Sequence, residues 1–240
     1  MIFKKYNANV IYLASYPKSG NTWVRFIIAN IYNQLENKVS EVTFHNVQEL
    51  IPETGVEKKF GFNKLPEVVK THDRFKKGMK KTILIVRNPI DVANSYYHYL
   101  VSEKQKSVTF NSLLKDADKG LSAICAFATE YINSGIELKV LTYENLHSNS
   151  VREIKSLTNF LGIEVSQNVI EKAIELSSFN SMRKVENEHG RPYAKTDFKF
   201  TRLGVVGDGL AQLNDEDKLY AREILSKYPV LDLLYRDTVE

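Results

Sequence analysis

Val10-Ile11-Tyr12-Leu13-Ala14-Ser15 runs directly into Tyr16-Pro17-Lys18-Ser19-Gly20-Asn21-Thr22-Trp23, and this stretch decides the fold. Its first six residues form a short apolar run of strand type, bounded by polar neighbours. Residues 22–34 then carry Val24, Ile27, Ile28 and Ile31 at the three-and-four spacing of one helical face, with Asn21 or Thr22 available as a cap. The turn between them holds a lysine, hydroxyls and a glycine immediately before a helix start. Free N–H groups and the positive dipole end favour phosphate or sulfate there, Gly20 allows close approach of the backbone, and Lys18 adds a point charge. The plainer reading is a strand-to-helix turn shaped by Pro17 and Gly20, with Lys18 solvated. The kinase and ATPase phosphate loop, G-x-x-x-x-G-K-[ST], is absent, because Lys18 precedes Gly20.

The same alternation continues along the chain. Residues 68–71, 82–86 and 138–143 read as further buried strands, and residues 91–100, 121–132, 151–161 and 167–176 as helices. This order predicts an α/β fold: a single domain over residues 1–240 whose central, largely parallel β-sheet is flanked by helices. Ligands of such sheets gather at the carboxyl ends of the strands.

Composition agrees. The 240 residues are 43% apolar and 26% charged, as in ordinary globular proteins, which disfavours disordered, collagenous and coiled-coil classes. Lys plus Arg (33) less Asp plus Glu (29) leaves +4, suited to small anionic ligands rather than to a nucleic-acid backbone. The basic group Lys76, Lys77, Lys80 and Lys81 reads as a solvated loop. Cys125 is the single cysteine, so neither a disulfide framework nor a cysteine-based metal site forms within one chain. No stretch approaches the roughly 18 consecutive apolar residues of a membrane span, and a cytoplasmic location is expected.

A second constellation follows the strand at residues 82–86: Arg87-Asn88-Pro89-Ile90-Asp91-Val92-Ala93-Asn94-Ser95-Tyr96-Tyr97. Pro89 and Asp91 suit the first turn of a helix. Arg87 at the strand end and Ser95 two helical turns on present a guanidinium fork and a hydroxyl to a second anion; the alternative is a surface ion pair between Arg87 and Asp91. Two phosphate-sized sites on neighbouring strand ends, with Trp23 able to stack a base, point to a doubly phosphorylated nucleotide.

The ordered pair resembles the cytosolic sulfotransferase family, whose donor is 3′-phosphoadenosine-5′-phosphosulfate (PAPS). Residues 16–23 resemble that family's 5′-phosphosulfate loop and residues 87–97 its 3′-phosphate motif. Lys70-Thr71-His72 stands between them, where the family carries its catalytic histidine. Tyr143-Glu144-Asn145-Leu146 resembles the adenine-side tyrosine segment, residues 177–182 the Thr-Ser-Phe and methionine stretch, and residues 200–208 the segment that closes over the 3′-phosphate. Leu203 stands in place of the usual lysine and Gly209 in place of the usual tryptophan, so Arg202 and Gly204 carry over and Leu203 does not.

The resemblance implies a P-loop-NTPase-like sulfotransferase fold and in-line transfer of a sulfuryl group, without a metal, to an acceptor hydroxyl. In that reading His72 is the general base and Lys18 stabilises the leaving oxygen with help from Lys70. Ser19, Gly20, Asn21 and Thr22 bind the 5′-phosphosulfate, and Arg87, Ser95, Arg202 and Gly204 the 3′-phosphate. Trp23, Tyr143, Ser177 and Phe179 line the adenine site, and adenosine 3′,5′-bisphosphate (PAP) is the product. The expected partner is a small-molecule or glycan acceptor bearing a hydroxyl, with no nucleic acid. The family's carboxyl-terminal dimerisation motif has no clear equivalent in residues 219–234, so no oligomeric state follows. Segments 100–120 and 186–199 fall where acceptor recognition or lids would lie. A nucleotide-dependent kinase and a catalytically inactive nucleotide-binding protein on the same scaffold are the alternative readings.

Overall fold

The computed structural model describes residues 6–56, 59–192, 199, 201 and 203–239. In chain order its elements are β1 (Ile11–Ser15), α1 (Asn21–Glu36), α2 (Val47–Leu50), β2 (Val68–Thr71), β3 (Lys81–Val86), α3 (Pro89–His98), α4 (Phe110–Leu114), α5 (Leu121–Ile132), β4 (Glu137–Thr142), α6 (Tyr143–Ser148), α7 (Ser150–Leu161), α8 (Gln167–Leu176), α9 (Phe179–His189), α10 (Asp215–Ser226) and α11 (Pro229–Tyr235).

The described strands form one parallel sheet in the order β2-β1-β3-β4. Ala14 pairs with Thr71 and Ser15 with Ile85, so the residues that follow β1, β2 and β3 leave the sheet at one edge. Chain order reverses on either side of β1, which opens a crevice at that edge.

Period-two alternation divides the core. Ile11, Leu13, Ile83 and Ile85 pack on one face beneath α1, α7 and α8. Tyr12, Ala14, Leu84 and Val86 pack on the other beneath α3, α5 and α10. Each fully buried Ile, Leu or Phe contributes about 1.5–3 kcal/mol, more than a helix cap at about 1 kcal/mol, so face burial, not capping, holds these helices in place. Cys125 lies in the second core, where burial pushes its thiol up to about 12, as befits a structural residue.

The expected strands and helices are present, with shifted ends, and β4, read as buried, is an edge strand in which only Leu141 is fully buried. Residue 10 lies outside β1, and Tyr143, read as the end of a strand, is the first residue of α6 because Thr142 caps a helix there through its hydroxyl. The helix read over residues 91–100 begins at Pro89 and gives way after His98 to a π-helical turn, Tyr99–Glu103. Among the described residues no helix is long and apolar enough to cross a membrane.

Candidate active site

The turn after β1 is held in an uncommon backbone conformation. Lys18 has φ +72° and Gly20 φ +100°, and a Cβ on Gly20 would sit 2.8 Å from the Tyr143 ring, so only glycine fits. Gly20 is also the N-cap of α1 and supplies no side-chain cap, which leaves the first amides of α1 for a ligand. Asn21 turns inward: its Nδ2 donates to Leu13 O and Ser15 Oγ, both at 3.1 Å, stapling the turn to β1. Lys18, Gly20, Asn21, Thr22 and Trp23 line a cleft of about 670 Å³. Ser19 does not. It is buried beneath the turn and its amide donates to Tyr16 O.

His72 follows β2 and reaches the same cleft. Its Nδ1 lies 2.8 Å from the carbonyl oxygen of Ser15; a carbonyl only accepts, so Nδ1 carries the proton and Nε2 the lone pair. Burial, reinforced by Lys70, pushes His72 down to about 4 against the Ser15 bond and Glu53, so the ring is neutral at pH 7. Lys70 is lowered by burial and held charged by Glu53, whose Oε2 is 2.9 Å from Nζ.

Arg87 ends β3. Its guanidinium is buried, lies 4.3 Å from the centre of the Tyr143 ring and donates to Val205 O at 3.1 Å. Asp91 at 3.6 Å and Asp208 at 3.5 Å flank it, so the pair with Asp91 exists but is buried, not at the surface. Arg87 Nε is buried with no hydrogen-bond partner among the described residues. Asp91 also accepts from the amides of Gly207 and Gly209, at 2.7 and 2.8 Å, fastening the late loop to α3. A Cβ on Gly209 would meet Ile90 O at 2.7 Å, which explains why the smallest residue stands there.

The opposite wall is aromatic. Trp23 meets Tyr143 edge-on at 5.3 Å, and Gly204 (φ +67°) packs on Phe179 so closely that a Cβ would be 2.5 Å from the ring. Trp23 and Phe179 are half-buried, whereas Tyr143 is covered by Arg87 and Gly20 and works as their support. Ser177 Oγ accepts from Asn30 at 3.0 Å. Lys70, Ser95, Ser177, Phe179 and Gly204 line the cleft with the residues above. Arg202 lies outside the described residues.

A family model for the sulfotransferase domain matches residues 9–227. The chain belongs to the sulfotransferase family. Sulfotransferase 6B1 of Gorilla gorilla gorilla is 29% identical over 213 residues, covering 82% of this chain and 69% of its own length. Sulfotransferase 1B1 of Mus musculus is 28% identical over 251 residues, covering 89% and 82%. The fold is that of mouse sulfotransferase SULT7A1, solved in complex with PAP, with a TM-score of 0.72 at 22% identity over 99% of this chain and 92% of that one. Sulfuryl transfer is accordingly the reaction class, in preference to the kinase and inactive readings.

Sequence reading of this sulfotransferase missed several cleft residues. Tyr96 and Tyr99 stand beside the turn, with Lys18 Nζ 4.9 Å from the Tyr99 ring centre; His147, Ser150 and Ile174 also line the cleft. An aromatic placed four residues beyond Ser95 on the same helical stripe was a usable signal for Tyr99. Glu53, outside the cleft but paired with Lys70, gave none, because it reaches Lys70 across the sheet edge.

Proposed function

We propose that this sulfotransferase takes PAPS as donor and delivers the sulfuryl group to the hydroxyl of a small molecule or glycan, the whole chain acting as one cytoplasmic domain. The observation that carries the reading is the convergence of Lys18, His72 and Arg87 on one cleft at the carboxyl ends of β1, β2 and β3. The donor set fits a bisphosphorylated nucleotide. The uncapped start of α1 and Lys18 offer donors to a 5′ group, the buried Arg87 Nε lacks an acceptor that a 3′-phosphate oxygen would supply, and Trp23 and Phe179 line the same cleft as aromatic faces for a base.

When bound, PAPS supplies the sulfuryl group: the acceptor oxygen bonds to sulfur while the bond from sulfur to the phosphate oxygen breaks, that oxygen keeping the electron pair as PAP. His72 Nε2 takes the proton from the acceptor hydroxyl, its ring oriented by the Nδ1–H bond to Ser15 O. A value near 4 keeps the lone pair free at neutral pH, and an anion in the cleft raises it, strengthening the base. Lys18 and Lys70 place positive charge where negative charge grows on the departing oxygen. Arg87, Ser95 and Arg202 hold the 3′-phosphate and the amides of Gly20, Asn21 and Thr22 the 5′ group, with Ser19 shaping the turn beneath. Tyr96 and Tyr99 give the acceptor side an aromatic wall.

The test is PAP formation from PAPS with a panel of phenols, alcohols and sugars, wild type beside His72→Ala. Acceptor-dependent PAP release by wild type, lost in the variant, is expected. Equal release by both proteins overturns the role of His72, and none with any acceptor overturns the reading.

A further inference from the structure

Beside β2, at the edge of the sheet, a short piece of chain runs in register with the residues before His72. Lys70 N donates to Pro52 O at 2.8 Å, Thr54 N donates to Lys70 O at 2.9 Å, and Glu53 pairs with Lys70 in the parallel sense. Paired residues of parallel strands project to the same side, and Glu53 Oε2 accordingly stands 2.9 Å from Lys70 Nζ. The piece is itself fixed: Arg25 of α1, buried, donates through Nε to Ile51 O at 2.7 Å, and Thr54 Oγ1 donates toward Asp73 Oδ2 at 3.1 Å, one residue beyond His72.

The charges facing His72 are therefore Lys70 on β2, Glu53 on the edge piece and Arg25 on α1. Two are cations. Once His72 has taken a proton, three positive groups share this buried corner, and Glu53 is the carboxylate that faces them all.

Resting on the PAPS-dependent reading above, we propose that Glu53 is a positioning residue for sulfuryl transfer. Its carboxylate holds the Lys70 ammonium at the cleft wall in the charged state and offsets the imidazolium formed on His72. Burial lowers Lys70 and Glu53 opposes that shift, so without Glu53 it sheds its proton at lower pH. No part of Glu53 lines the cleft; its effect is exerted through Lys70 and His72, not through contact with the donor.

The variants are Glu53→Gln, which keeps size and an oxygen toward Lys70, and Glu53→Asp, which keeps the charge. For Glu53→Gln the expected results are a turnover lowered about tenfold or more, and an alkaline limb of the pH–rate profile moved down by about one pH unit or more. In Glu53→Asp both return toward wild type. Titration of the lysine Nζ groups by NMR, on protein without any nucleotide, reads the same displacement at Lys70 independently of activity. Wild-type turnover and an unmoved alkaline limb in Glu53→Gln overturn the proposal while leaving the reaction assignment standing. A Lys70 titration identical in wild type and Glu53→Gln also overturns it. If wild type itself neither binds PAP nor turns over PAPS, the PAPS reading falls and the role of Glu53 falls with it.

Discussion

Nδ1 of His72 lies 2.8 Å from the carbonyl oxygen of Ser15, the last residue of β1, so the ring proposed as the base is oriented by the strand that leads into the Gly20 turn. The contact follows from register: Ala14 pairs with Thr71, which brings the residues after β1 and β2 side by side.

The first prediction concerns pH. With His72 pushed down from 6.5 to about 4 by burial and then Lys70, the folded chain refuses a proton that the unfolded chain accepts in this window. The stability that neutral His72 contributes is full above pH 6.5 and is lost as pH falls toward 4. The displacement corresponds to about 3 kcal/mol at most. Urea unfolding of wild type and His72→Asn across that range checks it: the difference in slope is expected between pH 6.5 and 4. In kcat/KM for the donor, which reports the free enzyme, no acid limb from His72 is expected above about pH 5, and a limb near 6.5 there would contradict its burial.

Lys18→Ala removes the charge while keeping a side chain at φ +72°. Turnover is expected to fall about 10²-fold or more with melting temperature nearly unchanged, measured by steady-state kinetics and thermal unfolding. Turnover within a factor of about two of wild type would remove Lys18 from the reaction.

Arg87→Ala leaves Asp91 buried without its cation, so stability falls as well as donor binding. Arg87→Lys separates the two effects, since it keeps the charge and loses the fork. A weakening of PAP by about tenfold or more in Arg87→Lys, with binding of adenosine 5′-monophosphate unchanged, is expected from calorimetry. Equal weakening of both ligands would place the 3′-phosphate elsewhere.

Gly209→Ala drives a methyl into Ile90 O and the Asp91 amide, both within 3 Å of its Cβ. The neighbours there are backbone and cannot swing aside, so a loss of about 1–3 kcal/mol is expected from denaturant unfolding. A neutral result would mean that the late loop is not fastened to α3 in solution.

Much of this was legible in the sequence. β1 to β4 and the helices α1, α3, α5, α7 and α8 carry long apolar periods, and the cleft residues Lys18, Gly20, His72 and Arg87 sit at strand ends where topology alone directs them. The short helix α4 and the late helix α10 were missed, although Thr109 and Asn214 cap them through side-chain oxygens and α10 opens on Asp215, Glu216 and Asp217. The end of α3 at His98 was not legible, because a π-helical turn leaves no mark on apolar periodicity. Glu53 was invisible for a different reason. Its partner Lys70 is 17 positions away across a bridge one residue long, and only the folded edge of the sheet brings them together. Asn21 illustrates the converse: its place at the start of α1 was legible, but its side-chain Nδ2 donates to Leu13 and Ser15 and so turns away from the cleft's ligands.

The most direct measurement is thermal unfolding of the purified chain with PAP, beside ATP and adenosine 5′-monophosphate, neither of which carries a 3′-phosphate. Selective stabilisation by PAP is the expected result, on the order of 2.7 kcal/mol at about 100 times its dissociation constant. Preference for ATP, or no response to any of the three, would contradict the assignment of the cleft to a 3′-phosphorylated donor.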